Sequence, residues 1–138
     1  MKCLIRIRGK VGIDKDMEET LDRLRLMKKY SCVVLNPSKE SAGMIKKVRN
    51  FIAFGDIDNE TFKELLEKRG QAIDKKEKID VAKAVEAVGK GNKFEEFNLK
   101  PFFRLHPPRK GIKTKLHFPQ GVLGDHKDKI NELVRRML

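Results

Sequence analysis

The sequence lacks most of what a secreted, membrane-spanning or disulfide-bonded protein would need. No apolar run approaches the roughly 18 residues that cross a bilayer, and the first residues alternate charged with apolar side chains, unlike a signal peptide. We therefore expect a cytosolic protein that does not bind membranes. Only two cysteines are present, Cys3 and Cys32, and they lack CxxC spacing. We interpret both as reduced, buried, small hydrophobic residues.

Motifs that indicate catalysis or a bound cofactor are also missing. There is no Walker-type phosphate loop, no G-x-S-x-G and no recognisable pair of catalytic carboxylates. His106, His117 and His126 do not have metal-binding spacing, and two of them lie in a basic segment that would repel a cation. We expect no enzyme activity, no small-molecule substrate, no metal and no cofactor.

What the chain does have is positive charge in two places. Its 138 residues carry a net charge of +12. Residues 1–13 contain four bases and residues 98–124 contain six, and neither segment has an acid. The remaining residues balance 22 bases against 20 acids. Charge segregated in this way is typical of a protein that binds a polyanion.

Residues 1–57 have the pattern of a βαβαβ core. Residues 2–8 alternate strictly, which predicts a half-buried strand with a mostly basic second face. Asp16 and Glu19 predict the start of a helix that should end near Lys28. A strand at "YSCVVLN", a helix over residues 38–50 and a strand at "FIAFGDI" complete the predicted core.

The rest of the chain should pack on the same single domain. Residues 58–96 are expected to form a helical extension, with one helix ending at Gly70 and a short one starting at Asp80. Residues 97–138 are expected to form a basic extended loop and a last helix capped by Asp125. The predicted fold class is α+β, with a ferredoxin-like core.

The second helix and the loop "FFRLHPPRKGIKTKLHF" are the candidate binding elements. On the helix, Gly43 falls in a narrow arc with three polar residues, Lys39, Lys46 and Asn50. This glycine is either merely tolerated or lets a phosphate backbone approach closely. In the loop, two prolines restrict the chain before binding and Gly111 permits a turn, while Phe102, Phe103 and Phe118 are expected to anchor the loop on the core.

Nucleic-acid binding fits this charge distribution, and RNA is favoured over DNA. There is no zinc finger, basic zipper or clear helix-turn-helix, whereas RNA can be recognised by a loop and a sheet edge through phosphates and 2′-hydroxyls. Two alternatives from other classes remain open. One is a free-standing RNA chaperone, and the other is an acylphosphatase-like enzyme, because "IRIRGKVGI" is weakly similar to the Arg loop of those enzymes.

The chain also resembles a known family. "LRLMKKYSCVVLNPSKESAGMIKKVRNFIAFGDIDNETFKELLEKRG", "HPPRKGIKTKLHFPQG" and "KINELVRRML" are similar to motifs of the large-subunit ribosomal protein L-thirty family, called L-seven in eukaryotes. Residues 71–96 depart from the family's pattern, and the short N-terminus favours the archaeal type. The resemblance implies a three-stranded sheet covered by helices, no catalysis, and a structural role in subunit assembly and translation. Its implied partners are 23S-type rRNA near the 5S rRNA region, with 5S rRNA as a further candidate, and neighbouring large-subunit ribosomal proteins.

The resemblance further implies which residues contact RNA. They belong to the loop after the first strand, the second helix and the Pro-Arg-Gly segment. These predicted RNA-binding residues are Arg6, Arg8, Lys10, Lys39, Ser41, Gly43, Met44, Lys46, Lys47, Arg104, His106, Arg109, Lys110, Lys113, Lys115 and His117. Met44 is equally compatible with core packing.

Overall fold

The computed structural model describes residues 1–112, 114, 116–118 and 120–138. Its strands are β1 (Lys2–Arg6), β2 (Ser31–Leu35), β3 (Ile52–Asp56), β4 (Phe103–Arg104) and β5 (Gly124–Asp125). Its helices are α1 (Lys15–Arg23), α2 (Lys39–Val48), α3 (Asn59–Arg69), α4 (Val81–Gly89) and α5 (Ile130–Met137). Short 3-10 turns cover Phe94–Phe97 and Lys127–Lys129. The α+β class and the predicted βαβαβ order are confirmed.

The sheet has the order β4-β2-β1-β3-β5. β1 lies in the centre and pairs antiparallel with both β2 and β3, as the Cys3↔Val34 and Cys3↔Gly55 registers show. Two edge strands of two residues each extend this core, with β4 antiparallel to β2 and β5 parallel to β3. The prediction of a three-stranded sheet therefore missed β4 and β5. These two strands lie at either end of the basic loop, which reaches both edges of the sheet.

Helices cover both faces of the sheet. On one face, α1 and α2 pack over Leu4, Val33 and Ile52 through a cluster that includes Leu21 and Val48. On the other face, α3, α4 and α5 pack over a cluster whose strand residues include Cys3, Ile5 and Cys32, both cysteines being free thiols. None of the helices in the described ranges is both long and apolar enough to span a bilayer.

The structure corrects three local predictions. β1 is not half-buried, since its position between two strands and two helical layers buries both Ile5 and Arg6. α1 ends at Arg23 rather than near Lys28, and its N-cap is Asp14 rather than Asp16. Asp125 does not cap α5, because its carboxylate accepts a hydrogen bond from Lys127 N at 2.9 Å, at the start of the 3-10 turn.

Candidate nucleic-acid interface

The loop that follows β1 is shaped from inside the protein by Arg6. The Arg6 side chain has no exposed surface. Its guanidinium donates to Leu26 O at 2.7 Å, Met27 O at 2.9 Å and Arg8 O at 3.0 Å. Burial lowers the pKa of Arg6, while the Asp22 and Glu18 carboxylates oppose this shift. Arg6 therefore holds the turn after α1 against the start of the loop, and it is not available to a partner.

The same loop presents two other predicted bases to the surface. Arg8 is half-buried, and its guanidinium carbon lies 5.9 Å from the centroid of the Phe51 ring. Lys10 is exposed and forms a 3.6 Å ion pair with Glu18. Beyond them, the side chain of Val11 is fully exposed. The loop thus presents cations that can contact phosphates, next to an exposed apolar side chain.

Helix α2 presents an exposed cationic side. Its N-terminus is closed by a reciprocal cap in which Ser38 Oγ accepts from Ser41 N at 3.1 Å and Ser41 Oγ accepts from Ser38 N at 2.9 Å. The predicted contact Ser41 therefore has its hydroxyl engaged in the cap. Met44 packs partly against the core cluster of α1 and α2. Among the described residues, no carboxylate forms an ion pair with the exposed Lys39, Lys46 or Lys47.

Gly43 lies on this exposed side of α2 with open space in front of it. A Cβ atom built on Gly43 would have no described heavy atom within 4 Å. Packing inside the protein therefore gives no reason for a glycine at this position. Because glycine lowers helix stability by about 1 kcal/mol relative to alanine, the open space favours the close approach of another molecule.

The basic loop is fixed to α5 and to the C-terminus. Arg136 donates to Arg109 O at 2.8 Å and to Gly111 O, and Arg109 N donates back to Arg136 O at 3.0 Å. His106 binds the Leu138 backbone oxygen through Nε2. These contacts leave Arg109 and Lys110 exposed above a buried Pro108. Gly111 has a φ of +71°, so the predicted glycine turn is present.

The aromatic residues of the loop have internal partners. Phe103 is fully buried, and Phe102 packs partly against the core cluster of α1 and α2. The Phe118 ring lies 4.7 Å from the ring of His126. Between the loop and α5 is a cavity of about 400 Å³, whose lining includes Lys110, Phe118 and His126. Phe103 thus anchors the loop in the core, as predicted, whereas Phe102 and Phe118 are only half-buried.

Three predicted segments converge at the C-terminal end of α2. Arg8 N donates to Phe51 O at 3.2 Å, and this bond joins the first loop to the residues that follow α2. His117 Nε2 donates to the Asn50 side chain at 2.8 Å, which brings in the basic loop. We call this the three-segment surface, and its described residues are Arg8, Lys10, Lys39, Gly43, Lys46, Lys47, Asn50 and His117.

Not every predicted residue lies on the three-segment surface. Arg104 is one of them, because it is in β4, at the sheet edge opposite to β5. His117 lies near the β5 edge, since it forms a bridge with Leu123. His106 is occupied by the C-terminus, and Arg109 and Lys110 lie beside α5. Lys113 and Lys115 lie outside the described residues. The sequence prediction also missed the clamp formed by Arg136, whose only signal was a basic position on the polar side of α5.

The three-segment surface has no metal site among its described residues. Within that part of the chain, no three or more His, Cys, Asp or Glu side chains gather where they could hold an ion. What the surface offers is cations, backbone and a few apolar side chains. Such a surface can neutralise phosphates without reading base edges.

Comparison with known proteins adds an independent line of evidence. A family model described as "Ribosomal protein L30p/L7e" matches residues 4–52. The protein named "Large ribosomal subunit protein uL30" from Archaeoglobus fulgidus is 40% identical, with 99% of each chain covered. Its namesakes from Pyrobaculum aerophilum and Methanococcus maripaludis are 38% and 35% identical. Those alignments cover 99% of the present chain and 93% and 98% of the relatives.

Proposed function

This chain belongs to the ribosomal protein L30p/L7e family, and from that premise we propose that it is a structural component of the large ribosomal subunit that binds rRNA. The role is not catalytic. The observation that supports the proposal is the convergence at Asn50 and Phe51, where the basic first loop and His117 of the basic loop meet the end of α2. Several cations of this surface lack a carboxylate partner among the described residues, so they are available to phosphates.

The proposal extends to the identity and place of the RNA. We expect the three-segment surface to hold adjacent segments of 23S-type rRNA together, near the 5S rRNA region, during and after subunit assembly. Neighbouring large-subunit proteins are further expected partners. A map of cross-links from Lys39, Lys46 and Lys110 to rRNA would test this placement, and cross-links confined to distant rRNA regions would refute it.

Sedimentation of cell extract separates this proposal from a free-standing RNA chaperone. A structural component should travel with the large subunit through a sucrose gradient, including at moderate salt. A chaperone that binds many RNAs weakly should stay mainly at the top. Recovery of most of the protein away from large subunits would therefore overturn the proposal.

The remaining alternative, an acylphosphatase-like activity, depends on Arg8. The structure seats the Arg8 guanidinium against the Phe51 ring, and its Nε is buried without an acceptor among the described residues. Hydrolysis of an acyl phosphate that is lost in Arg8→Ala would favour that enzyme, whereas we expect no hydrolysis.

A further inference from the structure

A second basic groove lies at the β4 edge of the sheet, apart from the three-segment surface. Its volume is about 300 Å³, and its lining includes Arg25, Met27, Lys28, Pro101, Phe102 and Arg104. No carboxylate is among the described residues that line it. Part of the lining is apolar, because it includes Met27, which is 55% exposed, and the half-buried Phe102. We call this the β4 groove.

Arg25 has a backbone conformation that favours glycine. Its φ is +62°. Arg25 N donates to Asp22 O at 3.0 Å and Leu26 N donates to Leu21 O at 2.9 Å. This pair of bonds is the helix-ending motif in which the residue at positive φ is usually glycine. A residue with a Cβ is disfavoured there, so the side chain of Arg25 needs a compensating use.

The contacts within the protein do not supply that use. The ion pair of Arg25 with Glu95 has an N–O distance of 3.9 Å, and both side chains are more than half exposed. Exposed pairs with such geometry contribute little to folding. Strained residues concentrate at binding sites, and Arg25 lines a groove that already contains Lys28 and Arg104.

We propose that the β4 groove binds one unpaired nucleotide of an RNA strand, an inference that rests on the proposed function. The guanidinium carbon of Arg104 lies 5.9 Å from the centroid of the Phe102 ring. A guanidinium plane and an aromatic ring each offer a flat surface on which a base can lie. Arg25 and Lys28 supply positive charge for the phosphates on either side of that base.

The size and charge of the groove favour a nucleotide over an acidic peptide. A volume of about 300 Å³ is at the lower end of small-ligand sites, which suits a single residue of either polymer. One acidic side chain would need only one cation, whereas the lining of the groove combines three cations with apolar side chains. A nucleotide would use all of these features, because its two flanking phosphates contact the cations and its base contacts the apolar side chains.

The test measures binding of a labelled ten-nucleotide oligouridine by fluorescence anisotropy at low salt. Arg25→Gly should weaken binding about three- to tenfold, because a cation near the base is lost. The same variant should unfold at an equal or higher temperature, because glycine relieves the positive φ. Arg104→Lys keeps the charge but removes the planar group, and it should also weaken binding.

The matched control is Arg69→Gln, which removes the same charge from α3, outside the groove lining. It should change binding less than twofold. Equal losses in Arg25→Gly and Arg69→Gln would show non-specific attraction and overturn the proposal, as would no loss in Arg25→Gly. An acidic peptide of alternating Glu and Leu provides a second probe. If that peptide binds more tightly than the RNA and loses affinity in Arg25→Gly, the groove is a protein-docking site instead.

Failure of this inference can be told apart from failure of the proposed function. If Arg25→Gly leaves oligouridine binding intact while the protein still sediments with large subunits, only the nucleotide groove is wrong. If oligouridine binding depends on Arg25 while the protein does not sediment with large subunits, the groove stands and the ribosomal placement is wrong.

Discussion

The Nε2 atom of His117 donates a hydrogen bond of 2.8 Å to the Oδ1 atom of Asn50, across 67 positions of the chain. This contact fastens the basic loop to the end of α2. A loop that is already ordered loses less conformational entropy when its cations bind phosphates. We therefore expect the bond to contribute to RNA binding through the arrangement of the surface rather than through charge.

Asn50→Ala should weaken rRNA binding several-fold while changing the free energy of unfolding by about 1 kcal/mol or less, since one exposed hydrogen bond is lost. Filter binding to 23S-type rRNA and urea unfolding measure the two quantities. The matched control is Asn92→Ala, because Asn92 is exposed and its side chain has no hydrogen bond among the described residues. Equal effects of both variants on RNA binding would contradict the role of the Asn50–His117 contact.

Gly43→Ala separates the two interpretations of that glycine. Because the added Cβ meets no atom within 4 Å, the free energy of unfolding should rise by up to about 1 kcal/mol. If a phosphate backbone approaches Gly43, rRNA binding should fall in the same variant. Gly89→Ala is the control, since Gly89 is also helical and its added Cβ is equally unobstructed. Unchanged RNA binding in Gly43→Ala would mean that the glycine is merely tolerated.

Arg6→Lys should affect stability and not RNA binding. Lysine keeps the charge but has one donor nitrogen where Arg6 uses both Nε and Nη1, so the carbonyls of Leu26, Met27 and Arg8 cannot all keep their hydrogen bonds. We expect the free energy of unfolding to fall by about 2 to 4 kcal/mol. Arg49→Lys, on the exposed surface, should change it by less than about 0.5 kcal/mol. A stable Arg6→Lys protein with weaker RNA binding would return Arg6 to the interface.

Arg109→Ala combined with Lys110→Ala should flatten the salt dependence of rRNA binding. Both residues are exposed above the Arg136 clamp. Each lost phosphate contact reduces the slope of log affinity against log salt by about 0.7 to 0.9. Lys75→Ala with Lys76→Ala removes the same charge from the exposed connector before α4 and should leave the slope unchanged. The same slope in both double variants would remove the basic loop from the interface.

The sequence predicted the elements whose patterns are local. β2, α2, β3 and the helix after Asp58 follow from short apolar runs, periodicity and capping residues, and the structure has them nearly where they were expected. The burial of Arg6 could not be predicted in this way, because its acceptors Leu26 and Met27 lie 20 and 21 positions away. The sequence pattern of an arginine in an alternating strand is the same whether the side chain contacts solvent, RNA or a backbone carbonyl.

The arrangement of the candidate site depended even more on distant contacts. The charge count located both basic segments, but it could not show that the end of α2 joins them. Nor could it show that Arg104 lies at the other edge of the sheet, in a groove with Arg25. The left-handed conformation of Arg25 has no sequence signal, since the usual signal for such a helix end is a glycine.

His126 should make the stability of the protein depend on pH. Burial lowers its pKa from the ordinary value of about 6.5, and the Val122 carbonyl and the Asp125 carboxylate oppose this shift without cancelling it. The unfolded state therefore binds more protons than the folded state as the pH falls below about 6.5. Stability from the neutral imidazole is fully present above that pH and is lost as the pH falls through the folded-state pKa.

Urea unfolding between pH 7.5 and pH 5.5 avoids most carboxylate titration and should show decreasing stability in the wild type. His126→Phe keeps a ring beside Phe118 but cannot titrate, so its stability should depend less on pH, although the lost hydrogen bond to Val122 O lowers it throughout. An NMR titration of the His126 ring measures the folded-state pKa directly. A value at or above about 6.5 would contradict both the burial argument and the expected loss of stability in acid.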